Sequence, residues 1–355
     1  AVSGAALRGI ETRYISPRYD EASGLLGMVT PEDLDLALTQ TGATAVLVTT
    51  PNAYGLCADV AGLAQAAHRH GALLMIDGAH GAHYPFSEAL PRSLGGYADL
   101  FVHSQHKTMD ALTQAASLHL GECRITPERL RRALAMTETT SPSYLLMASL
   151  DWSVYMARRR DWTGQVSRCM RLEEQIETID GLRVFHEPIG IGVYERDRTR
   201  IVVDVTQRGY TGYEAQAILE ENNIYLEMAD ARRLVLITTP NDEPAWYEQL
   251  MKVLADLPKR TPRQKISRGE EIRFAANEQK MRIREATFAK TRTIPLEEAE
   301  GRVAAEPIGI YPPGIALVMP GEVIDRRAID YLLMQEQQGG ALFGVYDGSV
   351  FVAEK

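Results

Sequence analysis

The stretch FVHSQHKTMDALTQAASLHL, from Phe101 to Leu120, places one lysine, Lys107, after a Ser-x-His and between two runs typical of buried strands. A lysine is usually a solvated surface charge. Moving its ammonium group into a protein interior costs several kcal/mol unless a partner compensates for the lost water. Lys107 is therefore either a surface residue at the end of a strand or a group with a chemical task.

Strands and helices alternate through the first part of the chain. TAVLVTTP (Thr44–Pro51) predicts a strand buried on both faces. The sequence also predicts a helix with Asp59 as its N-cap residue, which ends at Gly71. ALLMID, ADLFVHS and QAASLHL predict three further strands in the same style. This alternation predicts a parallel α/β sheet, in which ligands bind at the carboxyl ends of the strands. Asp77 and Ser104 both stand at such ends.

The second half of the chain divides into three stretches. A long helical pattern runs from Ser143 to Gly181, after which RIVVDV, GYEAQAILEENN and RLVLITTP predict a smaller α/β unit. LPKRTPRQKISRGEE is basic, polar and contains prolines, which is typical of a linker. A final segment follows it to Lys355. Because 355 residues exceed one ordinary core, we expect two or three domains.

Composition excludes several classes of protein. A net charge of −9 argues against a nucleic-acid binder, since such a surface repels phosphate. The three cysteines are far apart and form no C-x-x-C, so the sequence indicates neither a disulfide framework nor a zinc ribbon. No apolar stretch is long enough for a membrane-spanning helix. We therefore predict a cytoplasmic protein that binds neither membranes nor nucleic acid.

Two polar clusters, DGAHGAH (Asp77–His83) and HSQHK (His103–Lys107), follow predicted strands and allow three interpretations. The histidines are loop residues bonded to nearby backbone, or they join the aspartate in a metal site of a metallohydrolase, or both clusters bind pyridoxal phosphate. The metal hypothesis would draw its ligands from a set whose spacing matches no familiar zinc signature: Asp77, His80, His83, His103 and His106. The pyridoxal phosphate hypothesis uses the lysine as well, because a lysine forms a Schiff base with the cofactor aldehyde.

Five motifs in series resemble the ornithine/lysine/arginine decarboxylase family of pyridoxal-phosphate enzymes, which has the aspartate-aminotransferase-like fold. They are PNAYGLCADV, DGAHGAHYPF, ADLFVHSQHKTMDALTQAASLH, TTSPSYLLMASLD and YPPGIALVMPGE. The resemblance implies decarboxylation of a small cationic amino acid (lysine, ornithine or arginine) by a homodimer or higher homo-oligomer. It implies no metal.

The resemblance also assigns roles to residues. Lys107 would hold the cofactor covalently, and Asp77 would pair with its ring nitrogen. Ser104 and His106 would bind its phosphate, and Ala79 would lie against one face of the ring. A proton would return to the substrate from a nearby histidine, for which we take His80, or from Lys107.

The resemblance implies an α/β fold with three units: the remainder of a three-layer large domain with a parallel-rich, partial sheet (1–142), a connecting helix with a small α/β domain (143–256), and a C-terminal domain (271–355). Residues 257–270 would link the last two. The chain departs from the family pattern at Gly78 and Ala316, where glutamate and proline are usual.

The part of the family that supplies a phosphate-binding loop and a ring-stacking histidine would precede Ala1, so these 355 residues alone are expected to hold the cofactor weakly and not to decarboxylate lysine, ornithine or arginine. A non-catalytic relative or fragment that keeps the fold and the dimer is the alternative hypothesis.

Overall fold

The computed structural model describes residues 2–20, 24–121, 125–186, 192–262, 277–311 and 314–354. Before residue 143, the described ranges contain twelve α-helices and β-strands. In chain order they are α1 (Val2–Arg8), β1 (Tyr19–Asp20), β2 (Leu25–Leu26), α2 (Pro31–Thr41), β3 (Ala45–Thr49), β4 (Leu56–Ala58), α3 (Val60–Arg69), β5 (Leu73–Asp77), β6 (Leu100–Ser104), α4 (Gln105–Thr108), β7 (Ala116–Leu120) and α5 (Pro127–Leu134).

The main sheet has the strand order β3-β5-β6-β7. The first three strands are parallel, and Asp77 is in register with Thr49 on one side and Val102 on the other. The strand β7 runs antiparallel to β6. A parallel return needs a crossover of a dozen or more residues, and the short segment after α4 is too short for one. The prediction of a parallel sheet therefore holds for three strands and is wrong for β7.

One face of this sheet is packed against α2 and α3. Both helices begin at side-chain caps, since Thr30 accepts a hydrogen bond from Asp33 N and Asp59 accepts one from Gly62 N. The opposite face is open among the described residues, and Leu47 and Leu118 are 49% and 43% exposed. The prediction that the strand within Thr44–Pro51 is buried on both faces is therefore wrong, because the side chains of this strand, β3, alternate between exposed and buried.

Nine further elements lie between residues 143 and 256. They are α6 (Tyr144–Ala157), α7 (Trp162–Glu177), β8 (Arg183–Val184), β9 (Val193–Arg196), β10 (Arg200–Asp204), α8 (Gly212–Glu221), β11 (Met228–Ala229), β12 (Arg233–Ile237) and α9 (Pro244–Asp256). The predicted smaller α/β unit is present as the antiparallel sheet β11-β12-β10-β8, packed by α7, α8 and α9 around a separate core. The single long helical pattern is two helices, because Asp161 caps a new one by accepting from Gly164 N.

A short strand pair joins the two units. Residues Leu56–Ala58 of β4 pair with Val193–Arg196 of β9. Arg196 is buried and forms an ion pair with Glu173 of α7 at 2.7 Å, and it also donates to Phe185 O. This pairing brings the segment that follows β9 against the loop at the carboxyl end of β5.

The last elements form a third core. They are α10 (Ile283–Thr287), β13 (Thr291–Pro295), β14 (Ile308–Tyr311), β15 (Ile315–Val318), α11 (Arg326–Gln337), β16 (Ala341–Phe343) and β17 (Ser349–Ala353). Much of the predicted linker and the start of the final segment (263–276) lie outside the described residues, as do the two prolines of YPPG (312–313). The domain boundaries therefore stay predictions, whereas the α/β class is confirmed. No helix in the described ranges is long and apolar enough to cross a bilayer.

The helix α2 offers a matched test of this packing. Leu34 is fully buried against α3 and the sheet, whereas Leu36, two residues later, is 58% exposed. We expect Leu34→Ala to lower the free energy of unfolding by about 2–5 kcal/mol, because it leaves a cavity in the core. Leu36→Ala should change it by less than about 0.5 kcal/mol. Urea denaturation of both variants is the measurement, and equal losses would contradict the assignment of the buried face.

Candidate active site

Lys107 lies on the four-residue helix α4, which begins directly after β6. Its side chain is half-buried, and its Nζ is 3.1 Å from His80 Nε2. His80 comes from the loop after β5, the neighbouring strand in the sheet. The two polar clusters of the sequence are therefore in direct contact at the carboxyl edge of the sheet, as expected for parallel neighbours.

Asp77, Ala79 and Ser104 are linked by two hydrogen bonds to main-chain nitrogens. Asp77 Oδ1 accepts from Ala79 N at 3.1 Å, and Ala79 O accepts from Ser104 N at 3.3 Å. Ser104 occupies the N-cap position of α4, but its side chain makes no capping hydrogen bond. This leaves the Ser104 hydroxyl and the second Asp77 carboxylate oxygen without a hydrogen bond from the described part of the chain.

His106 is held by the strand β7. Its Nδ1 donates to Ala115 O at 2.9 Å, and its main-chain N lies 3.5 Å from the same oxygen. Because Nδ1 carries the proton, Nε2 of the neutral ring is an acceptor, and it donates only in the charged form. His106 can therefore bind an anion at Nε2 as an imidazolium. The structure thus places all six predicted site residues at one edge of the sheet.

Arg200, the first residue of β10, also belongs to the site and was not predicted from the sequence. It is fully buried, and its Nη2 donates to His80 Nδ1 at 2.6 Å while its Nη1 donates to Ala53 O at 3.2 Å. Burial, then the Arg200 charge, and then Lys107 when it is protonated lower the pKa of His80 to about 3. An arginine directly before the apolar run IVVDV was the available signal, since a charge at the start of a buried strand requires a partner.

A second buried cluster surrounds the Asp197 carboxylate. Asp197 accepts from Thr199 N and Oγ1 at 2.9 and 2.6 Å, and its Oδ2 lies 3.2 Å from His83 Nε2 and 3.8 Å from Arg200 Nε. Burial alone would raise the pKa of Asp197, but His83, Arg200 and Thr199 outweigh it and lower the pKa to about 2. Asp197 is therefore an anion that anchors Arg200 beside His80.

The proposed metal ligands are engaged separately. His83 faces Asp197, His106 faces Ala115 O, and the His103 ring packs edge-on against Phe101 and His119. Within the described ranges, no three His, Cys, Asp or Glu side chains converge as ligands would. The geometry gives the metallohydrolase hypothesis no support.

The Asp197 cluster predicts an acid-sensitive contribution to stability. Because the folded-state pKa of Asp197 lies below its ordinary value of 3.8, its contribution is present above about pH 4 and is lost as the pH falls toward about 2. At pH 7, Asp197→Asn should lower the free energy of unfolding by about 3–5 kcal/mol, since it leaves Arg200 buried without its counter-ion.

The control is Asp180→Asn, which alters an exposed carboxylate paired with Lys259. This variant should unfold at nearly the wild-type urea concentration. The gap between wild type and Asp197→Asn should narrow as urea titrations are repeated from pH 7 down to pH 3. A gap that does not depend on pH would contradict the assigned charge.

Two models of one protein family match this chain, one toward each end. The model described as "Orn/Lys/Arg decarboxylase, major domain" matches residues 3–194, and the one described as "Orn/Lys/Arg decarboxylase, C-terminal domain" matches residues 270–345. An arginine decarboxylase of Bacillus subtilis is 32% identical over 355 residues, which cover 95% of this chain and 71% of the relative. An arginine decarboxylase of Halalkalibacterium halodurans is 31% identical, with 98% and 72% covered.

Solved structures share the fold. The constitutive lysine decarboxylase of Escherichia coli has a TM-score of 0.74 at 19% identity, with 96% of this chain and 64% of that chain covered. Lysine decarboxylase A from Pseudomonas aeruginosa has a TM-score of 0.82 at 18% identity, with 99% and 64% covered. This chain thus spans less than two thirds of the length of these two structures. On the family match over residues 3–194 alone, more than half of its length, the chain belongs to the Orn/Lys/Arg decarboxylase family.

Proposed function

We propose that this chain carries the active-site lysine of a pyridoxal-phosphate-dependent decarboxylase acting on a basic amino acid. The observation that carries the proposal is the contact of 3.1 Å between the Lys107 amine and His80, next to the Asp77 carboxylate at the carboxyl edge of the sheet. Family membership supports the reaction class. An isolated surface lysine would need none of these neighbours.

The chemistry of the side chains fits pyridoxal phosphate. Lys107 supplies the amine that would hold the aldehyde carbon, and Asp77 has a carboxylate oxygen left for a protonated ring nitrogen. Ser104 has a hydroxyl left to donate to phosphate, and His106 would donate from Nε2 as an imidazolium. Ala79 is small enough for a flat ring to lie against the backbone. These residues form part of a phosphate site.

Each residue would contribute a separate task to the reaction. When bound, the cofactor supplies an electron-accepting ring conjugated to the carbon that loses its carboxylate. The Asp77 carboxylate would hold a proton on the ring nitrogen, since a nearby anion favours the charged form. Lys107 would hold the cofactor between turnovers. It would give up that place to the substrate amine during the reaction and take it back at the end of the cycle. His80, fixed by Arg200, would orient the Lys107 nitrogen.

The substrate class follows from the family and the relatives. We propose lysine, ornithine or arginine, with arginine tested first because four relatives of 29–32% identity are named arginine decarboxylase. The alternative proposal is a non-catalytic relative or fragment that keeps the fold without the cofactor. The two differ in one observable, since only the first binds pyridoxal phosphate through Lys107.

We also propose that a second copy of this chain covers the helix α6. Only Ser153 and Ala157 of this helix are buried, whereas five of its large apolar side chains are exposed. Those more than 45% exposed are Tyr144, Leu145, Met147, Trp152 and Tyr155. Such a contiguous apolar surface is typical of an interface, and the resemblance to a dimeric family supports a like partner.

We further propose a reducing, cytoplasmic location. Cys57 and Cys169 are both unpaired and buried. Burial raises the pKa of each thiol well above its usual range, that of Cys169 to about 12, so neither is reactive as a thiolate. Buried free thiols are compatible with a compartment in which disulfides are rare.

Lys107→Ala provides the first test. Full-length wild-type protein should gain a visible absorbance band on titration with pyridoxal phosphate, and borohydride should fix the cofactor on Lys107, as peptide mass spectrometry can show. Lys107→Ala should lose the band and should lower carbon dioxide release from arginine, lysine or ornithine by at least about 10²–10⁴-fold. Lys252→Ala, an exposed lysine on α9, is the control and should behave as wild type. A wild-type protein that never binds the cofactor would favour the non-catalytic alternative.

Asp77→Asn provides the second test. The amide keeps the shape of Asp77 but removes the negative charge that favours a protonated ring nitrogen. We expect the variant to bind the cofactor more weakly and to lose about 10²–10³-fold in turnover, in the range of other preorganised electrostatic groups. Absorbance titration and a carbon dioxide assay measure the two effects separately. Turnover near the wild-type level would rule out this role for Asp77.

A further inference from the structure

The contact between Arg200 and His80 fixes where the His80 proton lies. An arginine guanidinium is always protonated and can only donate. Its Nη2 is 2.6 Å from His80 Nδ1, so Nδ1 must accept. A ring whose Nδ1 accepts cannot be the imidazolium and must be the neutral tautomer with the proton on Nε2.

The tautomer of His80 also limits how Lys107 can interact with it. His80 Nε2 carries the proton and lies 3.1 Å from Lys107 Nζ. An ammonium group has no lone pair with which to accept, so His80 Nε2–H can donate to Lys107 only when the Lys107 nitrogen is an amine. The chain of donors runs in one direction, from Arg200 through His80 to Lys107.

We infer that Arg200 is a positioning residue that locks His80 in the Nε2–H tautomer and thereby favours, at Lys107, the amine that can accept a hydrogen bond from His80. The catalytic meaning of this inference rests on the proposed function. An amine adds to an aldehyde only through its lone pair; the nitrogen bonds to the carbonyl carbon and water leaves, so no oxidant or reductant is needed. Arg200 would therefore favour the form of Lys107 that reacts with an aldehyde.

The surroundings of Arg200 support a fixed orientation. The guanidinium is fully buried, with Asp197 beside Nε and Ala53 O on Nη1, so it cannot swing away from His80. Gly55 lies over its stem with φ +80°, and a Cβ there would come within 2.9 Å of Arg200 Cδ. The charged or titratable groups around His80 are Arg200 of β10, Lys107 of α4, and Asp197 and His83. Burial and then the Arg200 charge, the two largest causes, hold the pKa of His80 far below neutrality, which agrees with a neutral ring.

The first experiment reads the tautomer directly and needs no cofactor. Histidine-labelled protein contains eight histidines, and the His80 signals are assigned by their loss in His80→Gln. Two-bond ¹⁵N–¹H correlation spectra should show a protonated Nε2 and an unprotonated Nδ1 at pH 7, with no protonation step between pH 8 and 5. A proton on Nδ1, or a charged ring at pH 7, would overturn the inference.

The second experiment measures the effect on Lys107, again without cofactor. Trace acetic anhydride labels the uncharged amine, and mass spectrometry of the Lys107 peptide gives its rate relative to an exposed lysine. Arg200→Met should reduce this rate at pH 7.5 by about tenfold, the equivalent of about 1.4 kcal/mol, and should allow His80 to carry its proton on Nδ1. Arg200→Lys keeps a donor and a charge, and it should restore both the tautomer and most of the rate.

The matched control is Arg233→Met, which removes another buried arginine of the same unit, paired with Asp230 at 3.1 Å and not in contact with His80. It should leave Lys107 labelling within about twofold of wild type. If Arg200→Met does not fold, as judged by circular dichroism, the wild-type spectra and Arg200→Lys still decide the matter. Equal labelling in wild type, Arg200→Met and Arg233→Met would overturn the role of Arg200. Since both experiments omit cofactor and substrate, their outcome is separate from the failure or success of the proposed function.

Discussion

The burial of the Arg200 guanidinium beside the Asp197 carboxylate is the constraint on which the site depends. Neither side chain reaches solvent, and two buried charges cost several kcal/mol each unless they are paired and hydrogen-bonded. Here Thr199, Tyr84 and His83 contact Asp197, while Arg200 donates to Ala53 O and His80 and keeps its Nε 3.8 Å from Asp197. Any movement of β10 away from the β5 loop would leave these charges without partners, so the two units are held together where Lys107 lies.

This constraint explains features that are otherwise unconnected. The β4–β9 pair and the Arg196–Glu173 ion pair bring the chain to Asp197 at a fixed distance from the main sheet. Asp197 N then donates to Gly55 O, which joins the turn after β9 to the turn before β4. Gly55 has a positive φ and no side chain, which allows Arg200 to lie beneath it. The site is therefore built from the large sheet but oriented by the smaller unit.

Sequence patterns predicted the local parts of this arrangement and missed the long-range ones. Asp77, Ser104 and Lys107 could be predicted because polar residues that end apolar strands meet at one edge of a parallel sheet. Arg200 could not be placed, since it is 120 residues from His80 and no local pattern states which buried charge meets which ring. The direction of β7 and the exposed side of β3 were likewise missed, because both depend on neighbours in space. A short apolar run shows neither the direction of a strand nor whether one or both of its faces are covered. The break between α6 and α7 had a readable signal in Asp161, a good N-cap residue within an otherwise helical pattern.

The geometry also separates the two groups that the sequence offered for returning a proton to the substrate carbon. A general acid must carry a proton it can give up near the working pH. His80, with a pKa of about 3, is a neutral ring whose Nε2 proton is already shared with Lys107, so it is a poor proton source. Lys107 would donate a proton only once its nitrogen is protonated, and in that form it no longer accepts from His80. In the proposed reaction the geometry therefore suits His80 to orienting Lys107 rather than to supplying the proton, and it suits Arg200 to orienting His80.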